Sequence, residues 1–144
     1  MSKGILLVNL GSPDSTNVED VRTYLREFLM DKKVLDSPWI IRKTIVELFI
    51  LPKRPEKSAE AYRKIWTKDG SPLIVYSKIL RDMVQKQMDI PVVLAMRYKN
   101  PSIEAGLQEL YAQGVRDILV VPLYPQYTMS STETVADKVL EIQK

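Results

Sequence analysis

Three short apolar runs, each stopped abruptly, constrain this chain more than any other feature. Ile5 to Leu10 ends in Gly11-Ser12-Pro13, Ile90 to Met96 ends before Arg97-Tyr98-Lys99-Asn100, and Asp117 to Leu123 gives way to Tyr124-Pro125-Gln126-Tyr127. These runs are apolar almost throughout rather than alternating, so each reads as a strand covered on both faces, as in a parallel sheet. Parallel neighbours need long crossovers, and the segments between the runs carry helical spacing.

Thr16-Asn17-Val18-Glu19 reads as a capping box with Thr16 as N-cap. It precedes a helix bearing Val18, Val21, Tyr24, Leu25, Phe28 and Leu29 on one face. Residues 38 to 51 predict a second helix, apolar round most of its circumference and stopped by Pro52 and Pro55. A third spans 59 to 66. Ser71-Pro72 opens a fourth, with Leu73, Val75, Ile79, Leu80 and Val84 as its apolar positions. Asn100-Pro101 caps a fifth, with Ile103, Leu107, Leu110 and Tyr111 inward, and Ser130-x-x-Glu133 reads as a second capping box before a last helix. The order predicts an α/β fold: a parallel β-sheet flanked by helices on both faces, with a long helical insertion after the first strand. One domain over residues 1–144 is expected, since 144 residues suffice for a single core.

Composition excludes several classes of chemistry. The chain has no cysteine and no histidine, which removes thiolate metal sites, disulfides and Ser-His-Asp or Cys-His catalysis. Its net charge of +3 comes without a dense basic run, so no nucleic-acid partner is expected. The most basic spots, Asp31-Lys32-Lys33 and Pro52-Lys53-Arg54-Pro55, read as solvated surface. No stretch approaches the roughly 18 apolar residues of a membrane span, and the amino-terminal run is too short and wrongly flanked for a signal peptide. A soluble, cytoplasmic protein is the expectation. Neither G-x-G-x-x-G nor a Walker-A sequence occurs, which argues against a nucleotide.

In open parallel sheets, ligands bind outside the carboxyl ends of the strands. Three segments fall there: Leu10 to Pro13, Arg97 to Asn100, and Tyr124 to Thr132. The last carries two tyrosines, a glutamine and the hydroxyls of Thr128, Ser130, Ser131 and Thr132, with Thr134 just beyond. That is more than one helix cap needs, although ordinary strand-to-helix loops remain an alternative for all three.

Four motifs in order then carry a resemblance. Ile5 to Pro13 followed by Val21 to Leu29, Tyr62-Arg63-Lys64-Ile65 running into Gly70-Ser71-Pro72-Leu73, Met96-Arg97-Tyr98 with Pro101, and Tyr124-Pro125-Gln126-Tyr127 together resemble the amino-terminal half of ferrochelatases. The resemblance implies a Rossmann-like chelatase domain, one of two that enclose a porphyrin cleft, in an enzyme of the lyase class that inserts ferrous iron into a porphyrin in haem biosynthesis. Iron is then a substrate, and no cofactor is required. The helical insertion corresponds to the family's active-site lip, covering the macrocycle or touching a membrane, as against a helix simply buried in the core. Arg54, Tyr62 and Ser71 fall on positions that bind porphyrin propionates. Leu10 falls near the macrocycle centre, where a leucine can only pack. Arg97, Tyr98 and Tyr124 fall on cleft-lining positions, and Thr128 and Ser130 in the hydroxyl-rich turn beside the pocket.

The family's catalytic His and its partner Glu lie beyond residue 144. No catalytic or metal-ligating residue is therefore assigned here, and the chain alone is expected to be inactive, to lack a carboxy-terminal partner domain and to self-associate. The alternatives are a non-catalytic tetrapyrrole-binding α/β domain, a half-size chelatase acting as a homodimer, and a nucleotide-binding module. The resemblance does not separate protoporphyrin from coproporphyrin as substrate.

Overall fold

The computed structural model describes residues 2–143. Three strands, β1 (Lys3–Gly11), β2 (Val92–Tyr98) and β3 (Asp117–Pro122), form one sheet in the order β2-β1-β3. Both pairings are parallel, with Leu6 beside Val93 on one side and Val120 on the other. Six α-helices accompany them among the described residues: α1 (Val18–Met30), α2 (Trp39–Thr44), α3 (Arg54–Ile65), α4 (Pro72–Gln85), α5 (Ile103–Ala112) and α6 (Thr134–Ile142).

Alternation along β1 divides the interior. Leu6 and Val8 join Val93, Ala95 and the α5 residues Leu107 and Leu110 on one face, and Val135 and Val139 of α6 extend that layer. Ile5 and Leu7 point the other way, joining Leu94 and Met96 beneath Leu73, Ile74 and Val84 of α4. The crossover from β1 to β2 and the return from β2 to β3 run in opposite directions, so their helices α4 and α5 lie on opposite faces if both crossovers share one hand. A third cluster sits beyond the carboxyl end of the sheet. There Val21, Tyr24 and Leu25 of α1 enclose Val46, Leu51, Ala59 and Tyr98, with Leu10 packed at its margin.

The helical insertion, termed the lip, is buried along one side and exposed along the other. After α2 the chain widens into a π-helical segment, Ile45–Ile50, in which the Leu51 amide reaches back to the Val46 carbonyl at 2.9 Å. Val46 and Leu51 anchor it inward, while Trp39, Ile40, Ile41, Leu48 and Phe49 are exposed, Phe49 by 72%. Arg26 holds the segment to α1 through two bonds to Glu47, at 2.7 and 3.3 Å.

Several local expectations are corrected. Helix α1 starts after Asn17 with no side-chain cap, so the Thr16 capping box does not form. The second box is displaced to Thr128 and Ser131, which exchange backbone and side-chain bonds at the mouth of a short π-helical turn, Met129–Glu133. Ser102, not Asn100, caps α5, accepting from the Ala105 amide at 3.1 Å. Pro55 begins α3 rather than ending α2, because its missing N–H costs nothing in a first turn. Tyr111 lies 39% exposed instead of inward, and the α4 apolar positions Ile79 and Leu80 are 49% and 40% exposed. Strand β2 continues through Arg97 and Tyr98, so these two residues belong to the strand and not to the loop expected after Met96. No described helix is long and apolar enough to cross a membrane.

Candidate functional site

The end of β1 turns sharply because Gly11 allows it. Its φ of +116° favours glycine, and a Cβ there would fall 2.1 Å from the Tyr98 carbonyl oxygen. This brings Ser12 inward and leaves Leu10 half-buried beside the aromatic cluster, where it packs and offers no ligand.

Arg54 opens α3 and Tyr62 lies two turns further on, about 12 Å along the axis at 1.5 Å per residue. Arg54, Lys53 and Lys57 line an open groove of about 590 Å³ with Phe49, Ile50 and Ser58. Ser58 and Ala61 continue this surface into a depression shared with Tyr62 and Ile65. Ser71 is buried at the start of α4 and borders a separate cavity of about 160 Å³ with Ser12, Asp14, Trp66 and Asn100. Tyr62 lines that depression and Trp66 the Ser71 cavity, and their rings meet edge-on at 6.1 Å. The three residues therefore occupy neighbouring depressions and do not converge on one point.

From Trp66 an aromatic chain leads back to the sheet. Tyr62 meets Tyr24 at 6.4 Å, Tyr24 stacks on Phe28 at 6.2 Å, and Phe28 meets Tyr98 edge-on at 5.2 Å. Burial pushes the Tyr24, Tyr62 and Tyr98 hydroxyls above their ordinary pKa, so all remain protonated donors at neutral pH.

At the end of β2, Arg97 and Tyr98 meet a residue that sequence reasoning had assigned to solvated surface. Asp31 follows α1, and its side chain is only 7% exposed. Its Oδ2 accepts from the Tyr98 hydroxyl at 2.7 Å, from Arg97 Nη2 at 3.0 Å and from the Thr134 hydroxyl. Its Oδ1 accepts from the Lys33 amide at 2.8 Å. Burial alone would raise this carboxyl, but the bonds from Thr134, Tyr98 and Lys33 and the Arg97 charge outweigh it and hold it below the usual range. Arg97 also donates Nε to the Thr134 carbonyl and hydroxyl, at 3.1 and 2.8 Å. Tyr98 is fully enclosed, so the expectation that it lines an open cleft is corrected: its hydroxyl is spent on Asp31.

The Tyr124 hydroxyl is buried without a partner among the described residues. Burial drives it up to about 12, the Arg97 charge opposing and Asp31 adding to the rise. Thr128 shares its hydroxyl with Ser131 at 2.6 Å and with Ser130 at 3.4 Å, and Ser130 is exposed. Among the described residues no three acidic side chains gather as a metal site.

The family model for ferrochelatase matches residues 2–144. The chain belongs to the ferrochelatase family. A ferrochelatase of Pseudomonas fluorescens is 54% identical over 135 residues, covering 93% of this chain. Those of Coxiella burnetii and Opitutus terrae are 49% and 50% identical, over 94% and 97% of it. The alignments take in only 39% to 41% of these relatives, so the chain spans about two fifths of a curated ferrochelatase. Asp31 is the residue at the carboxyl end of the sheet that sequence reasoning missed, while Thr134 was noted only as one of several hydroxyls. The only sequence signal for Asp31 was an acid preceding two lysines just past an apolar helix, which looks like surface.

Proposed function

We propose that this chain forms one wall of a porphyrin cleft in an enzyme that inserts ferrous iron into protoporphyrin or coproporphyrin for haem synthesis. The observation that carries the reading is the groove between the lip and α3. Three cations, Lys53, Arg54 and Lys57, line it beside the apolar Phe49 and Ile50, and no carboxylate does. A flat apolar ring with anionic arms suits such a surface. The cations take the carboxylates by charge-assisted hydrogen bonds, and the apolar side chains cover the macrocycle edge.

In this reading Tyr62 and Ser71 supply further donors to the arms, Leu10 packs near the ring, and Arg97, Tyr124, Thr128 and Ser130 furnish the polar end of the cleft. Ferrous iron is a substrate, and no resident cofactor is needed. The metal-insertion step belongs to the longer polypeptide, since this chain has no histidine to accept pyrrole protons near neutral pH. The exposed Trp39, Ile40 and Ile41, with Lys43 held 4.8 Å over the Trp39 ring, suit peripheral contact with a membrane surface from the cytoplasmic side.

Absorbance titration of protoporphyrin, followed by addition of zinc, tests the reading. A shifted Soret band without metal insertion by this chain supports it. An unshifted Soret band contradicts the cleft, and zinc insertion by the chain alone contradicts the assignment of chemistry to the longer polypeptide.

A further inference from the structure

We propose that Asp31 is a positioning residue, fixing where Arg97 and the hydroxyl-rich turn stand at the carboxyl end of the sheet. The proposal rests on the reading that this end faces the porphyrin. One oxygen, Oδ2, takes three donors: Arg97 and Tyr98 from the end of β2, and Thr134 from the start of α6. These partners lie 66 to 103 residues from Asp31 in sequence. A single carboxylate thus ties the end of α1 to both the end of β2 and the start of α6, beside the direct Arg97–Thr134 bonds and the Lys33–Glu133 ion pair.

The effect on Arg97 is specific. Its Nε is taken by Thr134 and its Nη2 by Asp31, and the guanidinium lies 4.5 Å over the Tyr98 ring. Nη1 is the nitrogen with no protein acceptor among the described residues. Asp31 therefore decides which edge of a planar, five-donor group is left for a bound acceptor. The same oxygen, through Thr134, holds the helix start that directly follows Thr128, Ser130 and Ser131. An asparagine of the same shape cannot do this. It offers one neutral acceptor, and its amide hydrogens oppose the remaining donors.

Side-chain ¹⁵N NMR of the 144-residue chain tests this, since a held arginine Nε–H resonates apart from solvated ones and exchanges slowly. The Arg97 signal, assigned by its loss in Arg97→Lys, should be dispersed in the unsubstituted chain. It should move to the solvated position in Asp31→Asn and stay in Tyr98→Phe. Protoporphyrin affinity should fall tenfold or more in Asp31→Asn. Should that variant fail to fold by far-UV circular dichroism, Thr134→Val takes its place, because its hydroxyl meets both Oδ2 and Nε, and the Arg97 signal should shift. An unmoved Arg97 signal in folded Asp31→Asn, or in Thr134→Val if the first is unfolded, overturns the proposal. So does a moved signal with unchanged porphyrin affinity. Absence of porphyrin binding by the unsubstituted chain overturns the functional reading alone, and the Arg97 signal then decides the proposal by itself.

Discussion

Gly11 and Tyr98 stand in register on adjacent parallel strands, and the Tyr98 carbonyl occupies the space a Gly11 side chain would need. The contact is with backbone, which cannot swing aside. It also lies where β1 ends and the wall of the site begins.

Gly11→Ala should therefore destabilise the chain by about 3 kcal/mol or more, combining a disfavoured positive φ with a backbone clash. Urea denaturation should show a lowered midpoint. A midpoint within error of the unsubstituted chain would mean that the β1 turn relaxes freely.

Asp31 makes stability depend on pH in a defined direction. Its folded pKa lies below the ordinary carboxylate value, so its contribution is complete above about pH 4 and is lost as pH falls through the folded pKa. Asp31→Asn should cost about 3 kcal/mol at pH 7, where it leaves the Arg97 charge short of its partner. The gap between the two proteins should close on acidification. A gap that is constant from pH 7 to pH 2 would contradict the assigned direction.

Much of the fold was legible in the sequence because the apolar runs are continuous and the helices between them are amphipathic. The lip came from the resemblance rather than from the apolar pattern, since a largely apolar circumference over residues 38–51 fits a buried core helix equally well. The start of α4 at Ser71-Pro72 was legible, but three other cap positions were not, because Asn17, Thr128 and Ser102 compete with equally good neighbours and the π-helical turn shifts the register. The Arg97 and Tyr98 roles were only half legible. Strand β2 runs on to Tyr98 because its pairing with β1 continues to Gly11. Asp31 escaped notice because its partners come from distant segments that only the fold assembles.

Besides the lip, α4 and β3 carry exposed apolar side chains. Tyr76 and Met83 are 70% and 61% exposed on α4, and Leu119 of β3 is 62% exposed. Surfaces of this kind mark interaction sites, and among the described residues β3 also has no strand on its outer side. The chain should self-associate at high micromolar concentration, and Met83→Lys with Leu119→Lys should reverse it. Sedimentation showing a monomer at every concentration would count against the prediction.

The central claim is that the lip groove receives the anionic arms of a porphyrin, and a Soret titration with two ligands tests it most directly. Protoporphyrin as the free acid should bind, and its dimethyl ester should bind at least tenfold more weakly. Arg54→Ala should weaken the free acid about tenfold to a hundredfold, the loss expected for one charge-assisted hydrogen bond of about 1.5–3 kcal/mol, and should leave the ester unchanged. In an enzyme of the relatives' length the same substitution should raise KM with little change in kcat. Equal binding of acid and ester, with no effect of Arg54→Ala on either, would contradict the account.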